Sequence, residues 1–224
     1  MKNLSLIAKD LFKNFWSGDR ELGVLNGINF EFKMGNSYAI TGASGSGKST
    51  LIHILGGLDN PSKGEVFIGD KNIFKLNIKN REKILRDKFG FVFQFHYLIK
   101  ELSVIENIIL PGLIVEKTKK ESVQKAKILL NKVGLENKTD NYPTQLSGGE
   151  LQRVSILRAI FNEPNFLLAD EPTGDLDSKN AQIIVDLLLS CQKEFDMGLI
   201  ICSHDKAVYE RMDKVLKLEN GILQ

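Results

Sequence analysis

The chain of 224 residues is predicted to adopt an α/β fold, on three observations. Two short apolar runs, residues 165–170 and 198–204, each end in polar residues, which is typical of buried parallel strands. A segment of helical periodicity, residues 178–191, alternates with these runs. The first third of the chain contains further short strands and a hairpin that turns at Gly69-Asp70. Functional residues of α/β sheets lie beyond the carboxyl ends of the strands, and the motifs described below fall there.

Two further segments are predicted to be helical. Residues 49–58, "STLIHILGGL", read as a helix that ends at its two glycines. Residues 102–135 are mostly helical, and their lysine-rich part repeats apolar residues at helical spacing: Val123, Ala126, Leu129, Leu130 and Val133. We interpret the lysines as a solvated face, with contact to anionic lipid head groups as the alternative.

Composition and charge narrow the class of protein. A hydrophobic content of 42% is enough for a sizeable core in one or two domains. A formal net charge of +2 gives no support for nucleic-acid binding, which usually needs a basic face. The two cysteines, Cys191 and Cys202, make no disulfide framework and suit a reduced cytosolic protein. We expect no signal peptide and no direct membrane insertion, so that any membrane role comes through a partner.

A phosphate-binding loop is predicted between a strand and a helix. Gly42, Gly47, Lys48 and Ser49 match the pattern G-x-x-x-x-G-K-[ST]. Glycines let backbone N–H groups turn inward around an anion, and the helix adds its positive N-terminal end. Lys48 supplies a charge for the β and γ phosphates, and the Ser49 hydroxyl can bind Mg²⁺. The predicted nucleotide contacts of this loop are Gly42, Ala43, Ser44, Gly45, Ser46, Gly47, Lys48, Ser49 and Thr50.

Acidic residues and a histidine follow the two buried strands. Asp170 is suited to hold Mg²⁺, directly or through water, and Glu171 to act as general base on the attacking water. His204 stands where a residue could sense the γ-phosphate. His53 lies within the helix after the phosphate loop and is expected to pack there.

The stretch "LSGGELQRVSILRAIFNEP" predicts a helix with an unusual start. Ser147 and Glu150 match a capping box, and Val154, Leu157 and Phe161 are the candidate core face. Gly148-Gly149 cost backbone entropy at the helix start, and they make sense if backbone N–H groups must approach an anion closely. A second anion site in a chain with one phosphate loop suggests that two copies share the nucleotides.

These motifs together resemble the ABC ATPase family. "LSGGE" is similar to its signature motif, and "GASGSGKST", "LLADEPTGDLD" and "ICSHD" to its phosphate loop, acidic strand with D-loop, and switch histidine. The resemblance covers essentially the whole chain. It implies a P-loop NTPase with a RecA-like core, an N-terminal antiparallel β subdomain and an α-helical subdomain. Residues 1–224 would form a single ATP-binding domain, with the core and β subdomain at about 1–94 and 152–224 and the helical subdomain at about 95–151.

The resemblance also implies roles for individual residues. Phe15 falls where the family has an adenine-stacking aromatic, with adjacent Trp16 as the alternative. Gln94 falls at the Q-loop, which contacts Mg²⁺ and the attacking water. In a head-to-tail homodimer that encloses two ATP molecules, the signature of one copy would face the γ-phosphate held by the other; its residues are Ser147, Gly148, Gly149 and Glu150. Asp177 matches the D-loop, with a cap for the helix at residues 178–191 as the alternative. The residues around Asp175 depart from the common D-loop pattern.

Within the family, the chain is most similar to ATPases of the lipoprotein-releasing type. The stretches that carry this similarity are "LIHILGGLDNPSKGEV", "FGFVFQFHYLIKELSVIENIILP" and "LLADEPTGDLDS", and the most specific part is Q-F-H-x-L in the second stretch. This implies membrane permease subunits with large extracytoplasmic domains, at the cytoplasmic face of the bacterial inner membrane. Macrolide or peptide exporters and a regulatory cell-division ATPase are the alternatives. A soluble relative acting on DNA or ribosomes would carry a coiled-coil insertion, a zinc motif or a second cassette, and the sequence has none.

The stretch "FQFHYL" is the expected junction with the permease. Phe91, Val92 and Phe93 would finish a core strand. The next four residues would line a cleft for a short permease helix: Phe95, His96, Tyr97 and Leu98. The alternative is that they only pack the junction between subdomains.

Overall fold

In the part of the chain that the structure describes, the central sheet has six strands, in the order β10-β9-β3-β8-β7-β6. The computed structural model describes residues 4–18 and 20–224. The strands are β3 (Ser37–Thr41), β6 (Phe89–Phe93), β7 (Phe166–Asp170), β8 (Gly198–Cys202), β9 (Lys214–Glu219) and β10 (Ile222–Leu223). All neighbours run parallel except β9 and β10. The two predicted buried strands are therefore confirmed as β7 and β8.

A second, antiparallel sheet has the order β2-β1-β4-β5. Its strands are β1 (Ser5–Ser17), β2 (Arg20–Lys33), β4 (Lys63–Ile68) and β5 (Lys71–Asn72). The predicted hairpin turn at Gly69-Asp70 joins β4 to β5, and Gly69 has the positive φ of 61° that this turn needs. Strand β1 extends well past the predicted residues 4–8, because β2 pairs with it along its whole length.

Seven α-helices lie within the described residues: α1 (Lys48–Leu55), α2 (Ile78–Lys88), α3 (Val104–Ile114), α4 (Lys119–Lys132), α5 (Gly148–Ile160), α6 (Ser178–Glu194) and α7 (Lys206–Tyr209). Capping boxes begin three of them, through Ser103 with Glu106, Thr118 with Glu121, and Ser147 with Glu150. The two glycines after α1 end that helix, as predicted.

The central sheet separates two hydrophobic clusters. Along β7, Leu167 and Ala169 belong to the cluster under α3–α6, whereas Phe166 and Leu168 belong to the cluster under α1 and the antiparallel sheet. This alternation follows from the two-residue period of a strand. Because both faces are covered, the loops at the carboxyl ends of the strands are the open part of this sheet.

The helical part packs onto the core through α5. Val154, Leu157 and Phe161 are buried as predicted, and so are Ala126 and Leu130 of the lysine-rich helix α4. Helix α5 contacts both α3 and β6, so it connects the helical part to the central sheet. The division of the chain at residues 94 and 151 stays a prediction. Cys191 and Cys202 are free and buried. Within residues 4–18 and 20–224, no helix is both long enough and apolar enough to cross a membrane.

Candidate nucleotide-binding site

The phosphate loop connects the end of β3 to the start of α1. Gly47 has φ 100° at the helix start, a conformation that glycine adopts without strain. At Gly42, a Cβ atom would lie 2.4 Å from the Leu218 carbonyl oxygen, so no larger residue fits between the loop and β9. The local sequence therefore produces a tight loop whose N–H groups precede the positive end of α1.

Lys48 is the first residue of α1, and its side chain turns back onto the loop. Its side chain is buried, and its ammonium group donates hydrogen bonds to the carbonyl oxygens of Gly42 (3.0 Å) and Ala43 (3.1 Å). A buried ammonium costs free energy unless it is hydrogen-bonded, and these carbonyls supply that compensation. The charge is thereby held where phosphate groups would lie.

A cavity of about 740 Å³ opens beside this loop. That volume lies in the range of small-molecule sites. The lining residues are Val24, Gly42, Ala43, Ser44, Gly45, Gly47, Lys48, Ser49, Thr50, Gln94, Glu171, Gly174 and His204. Ser46 instead faces a neighbouring cavity of about 560 Å³. The structure thus brings together most residues of the predicted loop, the three predicted catalytic residues, and Val24 and Gly174, which sequence reasoning missed.

Asp170 is the last residue of β7, and its side chain is 15% exposed. Its Oδ1 atom is buried without a hydrogen-bond partner, and its Oδ2 atom lies 4.0 Å from Nε2 of His53. A buried carboxylate oxygen without a partner is costly, and a cation would satisfy it. Mg²⁺ is commonly held by one or two carboxylates together with substrate phosphates. Asp170 and the exposed hydroxyl of Ser49 fit that donor set.

Glu171 and His204 form a pair across two strand ends. His204 Nδ1 lies 3.0 Å and 3.1 Å from the two carboxylate oxygens of Glu171. The Glu171 backbone N–H donates to the Cys202 carbonyl, which ties the end of β7 to the end of β8. Glu171 has φ 45°, in a region that non-glycine residues rarely occupy. Such strained residues cluster at functional sites, where the surrounding structure maintains them.

Gln94 follows β6 and reaches into the cavity. Its amide Nε2 donates a hydrogen bond of 3.2 Å to Asp175 Oδ2, and a Cβ atom on Gly174 would lie 3.1 Å from the same nitrogen. Gly174 therefore leaves room for the glutamine amide. No local pattern could have found this pair, because Gln94 and Asp175 are 81 residues apart in the chain.

The signature residues lie apart from this cavity. Ser147 caps α5, and Glu150 Oε2 accepts a 2.8 Å hydrogen bond from the Ser147 N–H. That backbone hydrogen bond lowers the pKa of the Glu150 carboxyl group. A Cβ atom on Gly149 would lie 2.6 Å from Asn180 Oδ1, so the glycine is also needed for packing against α6. Neither the signature nor Asp177, which caps α6, lines the cavity of its own chain.

The candidate adenine-stacking residues lie on the hairpin of β1 and β2. Phe15 pairs with Leu22, and the Lys13 ammonium lies 4.8 Å from the centre of the Phe15 ring. Phe15 and Trp16 are both exposed, and neither lines the cavity. The adenine contact stays a prediction.

The stretch after Gln94 divides into exposed and packed residues. Phe95 and Tyr97 are 67% and 65% exposed. His96 is half-buried, and desolvation lowers the pKa of its imidazole. Leu98 departs from the expected cleft-lining position, because it packs against the cluster under α3–α6.

Helix α5 holds this stretch in place. Arg158 donates to the carbonyl oxygens of His96 (2.8 Å) and Tyr97 (2.7 Å). Buried Gln152 donates to the carbonyl oxygens of Phe93 (3.4 Å) and Pro172 (2.7 Å). The helix that begins with the signature therefore contacts both loops that carry Gln94 and Glu171.

A phosphate loop, a carboxylate at a strand end and a histidine-bound glutamate around one cavity define a P-loop nucleotide-binding protein. The family profile described as ABC transporter matches residues 25–174, and the chain belongs to this family.

Relatives match over the full length. The chain is 42% identical to the lipoprotein-releasing system ATP-binding protein LolD of Legionella pneumophila (strain Lens), over 100% of this chain and 98% of the relative. It is 43% identical to the protein of the same name from Idiomarina loihiensis, with the same coverage. One chain of the solved dimer of the ATP-binding cassette MJ0796, in a post-hydrolysis state bound to ADP and Pi, superimposes on this chain with a TM-score of 0.90. That chain is 37% identical and matches 98% of this chain and 96% of its own length.

These comparisons confirm the predicted cassette fold, with its antiparallel β part. The chain is the ATP-binding subunit of an ABC transporter, and it hydrolyses ATP.

Proposed function

We propose that this chain is the ATPase of a transporter that releases lipoproteins from the bacterial inner membrane, where it works as a homodimer bound to permease subunits at the cytoplasmic face. The observation that carries this proposal is 42–43% identity to LolD proteins along the whole chain. The identity spans the helical part, which is expected to contact a permease, as well as the ATP site.

ATP binding is assigned to the phosphate loop and the hairpin. The N–H groups of residues 42–50 and the start of α1 attract the phosphates, and Lys48 exchanges its contacts to Gly42 and Ala43 for phosphate oxygens. Phe15, or adjacent Trp16, stacks on the adenine.

Ser49, Asp170 and Gln94 are assigned to the magnesium ion. When bound, Mg²⁺ neutralises charge that develops on the phosphates. The unpaired Oδ1 atom of Asp170 supports this assignment, because a bound cation would satisfy a buried carboxylate oxygen that has no hydrogen-bond partner.

Glu171 is assigned as the general base. Its carboxylate accepts a proton from the attacking water, a role worth roughly 10²–10⁴-fold in rate. In the free chain the His204 Nδ1 contacts both carboxylate oxygens, so His204 holds the base in one orientation. Gln94 orients the water from the carboxyl end of the neighbouring strand β6, and its contact with Asp175 fixes the amide.

The second half of the site is assigned to a second copy. Ser147, Gly148 and Gly149, with Glu150 behind them, present N–H groups and the positive end of α5, which suit the γ-phosphate of the partner's ATP. Their position outside their own chain's cavity supports this arrangement. Asp177 is assigned to the same interface.

Phe95 and Tyr97 are proposed to receive a short permease helix. Exposed aromatics next to Gln94 are costly to leave in water, which supports an interaction site. Hydrogen bonds from Arg158 connect the loop of Phe95 and Tyr97 to helix α5. Movement of the permease helix would therefore move α5 and the signature residues at its start.

The proposal is tested by reconstitution. The Glu171→Gln variant is purified from native membranes in the presence of ATP, together with the membrane subunits that bind it. These membrane subunits are then reconstituted, with wild-type or with Glu171→Gln chain, in proteoliposomes that contain a fluorescent acylated lipoprotein. We expect ATP-dependent transfer of the lipoprotein to water with wild type and none with Glu171→Gln.

Other outcomes would contradict lipoprotein release. Transfer of a drug or peptide instead would identify an exporter. ATP turnover without any transfer, together with a bound regulator of a cell-wall hydrolase, would identify a regulatory ATPase.

As a test of docking, Phe95→Ala with Tyr97→Ala should abolish the coupling of ATP hydrolysis to the permease but leave soluble ATPase activity. A misfolded protein would instead indicate that these aromatics only pack the junction between subdomains.

A further inference from the structure

We propose that His53 is a positioning residue for Asp170: its Nε2–H engages Oδ2 and leaves Oδ1 as the oxygen that faces the cation. This inference rests on the proposed function, in which Asp170 is a magnesium ligand. Nothing in the phosphate-loop pattern requires a histidine at this position, because the pattern ends at Ser49.

The spacing on α1 places His53 beside the site. Ser49 and His53 are four residues apart in one helix, so their side chains lie on the same face, one turn apart. Asp170 therefore meets two polar side chains of one helix, the hydroxyl assigned to Mg²⁺ and the imidazole.

The packing around His53 restricts its ring. The ring centre lies 5.9 Å from that of Phe93, and Phe93 pairs with Asp170 across β6 and β7. The side chain of His53 is 36% exposed, but its Nε2 atom is buried. One side of the ring thus reaches solvent, whereas Nε2 is directed into the site.

The facing side chains of His53 and Asp170 each carry a buried polar atom without a hydrogen-bond partner. His53 Nε2 and Asp170 Oδ1 both lack a hydrogen-bond partner, and Nε2 lies 4.0 Å from Oδ2. Within residues 4–18 and 20–224, no side chain or backbone group donates a hydrogen bond to the Asp170 carboxylate. An imidazole with its proton on Nε2 is a hydrogen-bond donor 4.0 Å from Oδ2. One water or a small rotation of the carboxylate would span that distance.

A hydrogen bond to Oδ2 would increase the affinity of the Asp170 carboxylate for the metal ion. A carboxylate that is free to rotate loses orientational entropy when a cation binds one oxygen, whereas a carboxylate already held at Oδ2 does not. Hydrogen bonds to metal ligands commonly change metal affinity by about 10–100-fold. His53 would therefore strengthen the coupling between Mg²⁺ and ATP without touching either.

The test compares a donor with a non-donor at position 53 in the full chain, in a Glu171→Gln background that suppresses hydrolysis. The ratio of the ATP Kd in EDTA to the ATP Kd in excess Mg²⁺ measures the coupling. We expect His53→Leu to reduce this ratio by about tenfold, His53→Gln to preserve most of it, and the Kd in EDTA to stay the same in all variants. The electron paramagnetic resonance spectrum of Mn²⁺ bound with ATP should change in His53→Leu and not in His53→Gln.

Three outcomes would overturn the inference: an unchanged ratio in His53→Leu, a His53→Gln variant that behaves like His53→Leu, or a parallel loss of ATP affinity in EDTA, which would indicate packing. If thermal melting shows that His53→Leu is unfolded, His53→Met replaces it as the non-donor. Asp170→Asn separates the two proposals, because an unchanged ratio in that variant would refute the magnesium site itself.

Discussion

Replacement of Arg158 by methionine tests whether α5 holds the loop after Gln94. The guanidinium group donates to the carbonyl oxygens of His96 and Tyr97 at 2.8 Å and 2.7 Å. Hydrogen bonds from a charged donor contribute roughly 1.5–3 kcal/mol each. The bond to Tyr97 is exposed, so it belongs below that range, and the two together contribute at most about 4 kcal/mol.

Two effects oppose this loss. Burial of the guanidinium is itself unfavourable, as the lowered pKa of Arg158 indicates, and methionine removes that cost. Methionine also keeps the apolar packing of the arginine stem. We therefore expect a net destabilisation of about 2 kcal/mol, or a fall in Tm of roughly 4–8 °C for a chain of this size.

Calorimetry gives the Tm, and hydrogen exchange shows where the change lies. Amide protection should fall in residues 95–99 and stay unchanged in α1. Lys125→Met is the matched control, because it breaks the exposed ion pair with Glu163 and should cost less than about 1 kcal/mol. An Arg158→Met variant as stable as this control, with unchanged exchange in residues 95–99, would refute the reasoning.

Three further outcomes are expected. Glu171→Gln should bind ATP, hydrolyse it roughly 10²–10⁴-fold more slowly than wild type, and elute as a dimer in size-exclusion chromatography. Normal ATP turnover in this variant would refute the assignment of Glu171 as general base. Lys48→Ala should raise the ATP Kd about 10–100-fold in a titration, with exposed Lys119→Ala as control, and an unchanged Kd would contradict the phosphate-loop assignment. Asp213 accepts two hydrogen bonds from Ser37, whose N–H is the main cause that lowers the Asp213 pKa below its ordinary 3.8. The stabilisation by Asp213 is thus full above about pH 5 and lost as the pH falls below 3.8 toward the folded-state pKa, so the Tm difference from Asp213→Asn should shrink over that range; a difference that grows would contradict the sign.

Sequence patterns were sufficient for the parts of the site that local geometry builds. The phosphate loop needs a strand, glycines and a helix within a few residues, and all three are adjacent in residues 38–55. The caps at Ser147 and Asp177 involve hydrogen bonds over three residues, and the structure has both.

Other features could not be predicted because their partners are distant in the chain. The length of β1 depends on its pairing with β2 and β4. The pattern of residues 9–17 does not by itself indicate that the strand continues there. Leu98 belongs to the stretch predicted to line a cleft, and only the packing of α3–α6 gives it a buried surface.

By itself, the sequence determined the class of fold, the phosphate loop, the signature pattern and the order of the proposed catalytic groups, since each rests on hydrogen bonds and periodicities that span a few residues. The tertiary structure decided how these groups meet. Only when the parallel strands align do Gln94 and Asp175, or His53 and Asp170, face each other at the edge of one sheet. The register of β6, β7 and β8 determines which of these residues lie beside each other. That register is selected by the burial of alternating side chains on both faces of the sheet, which depends on the whole core.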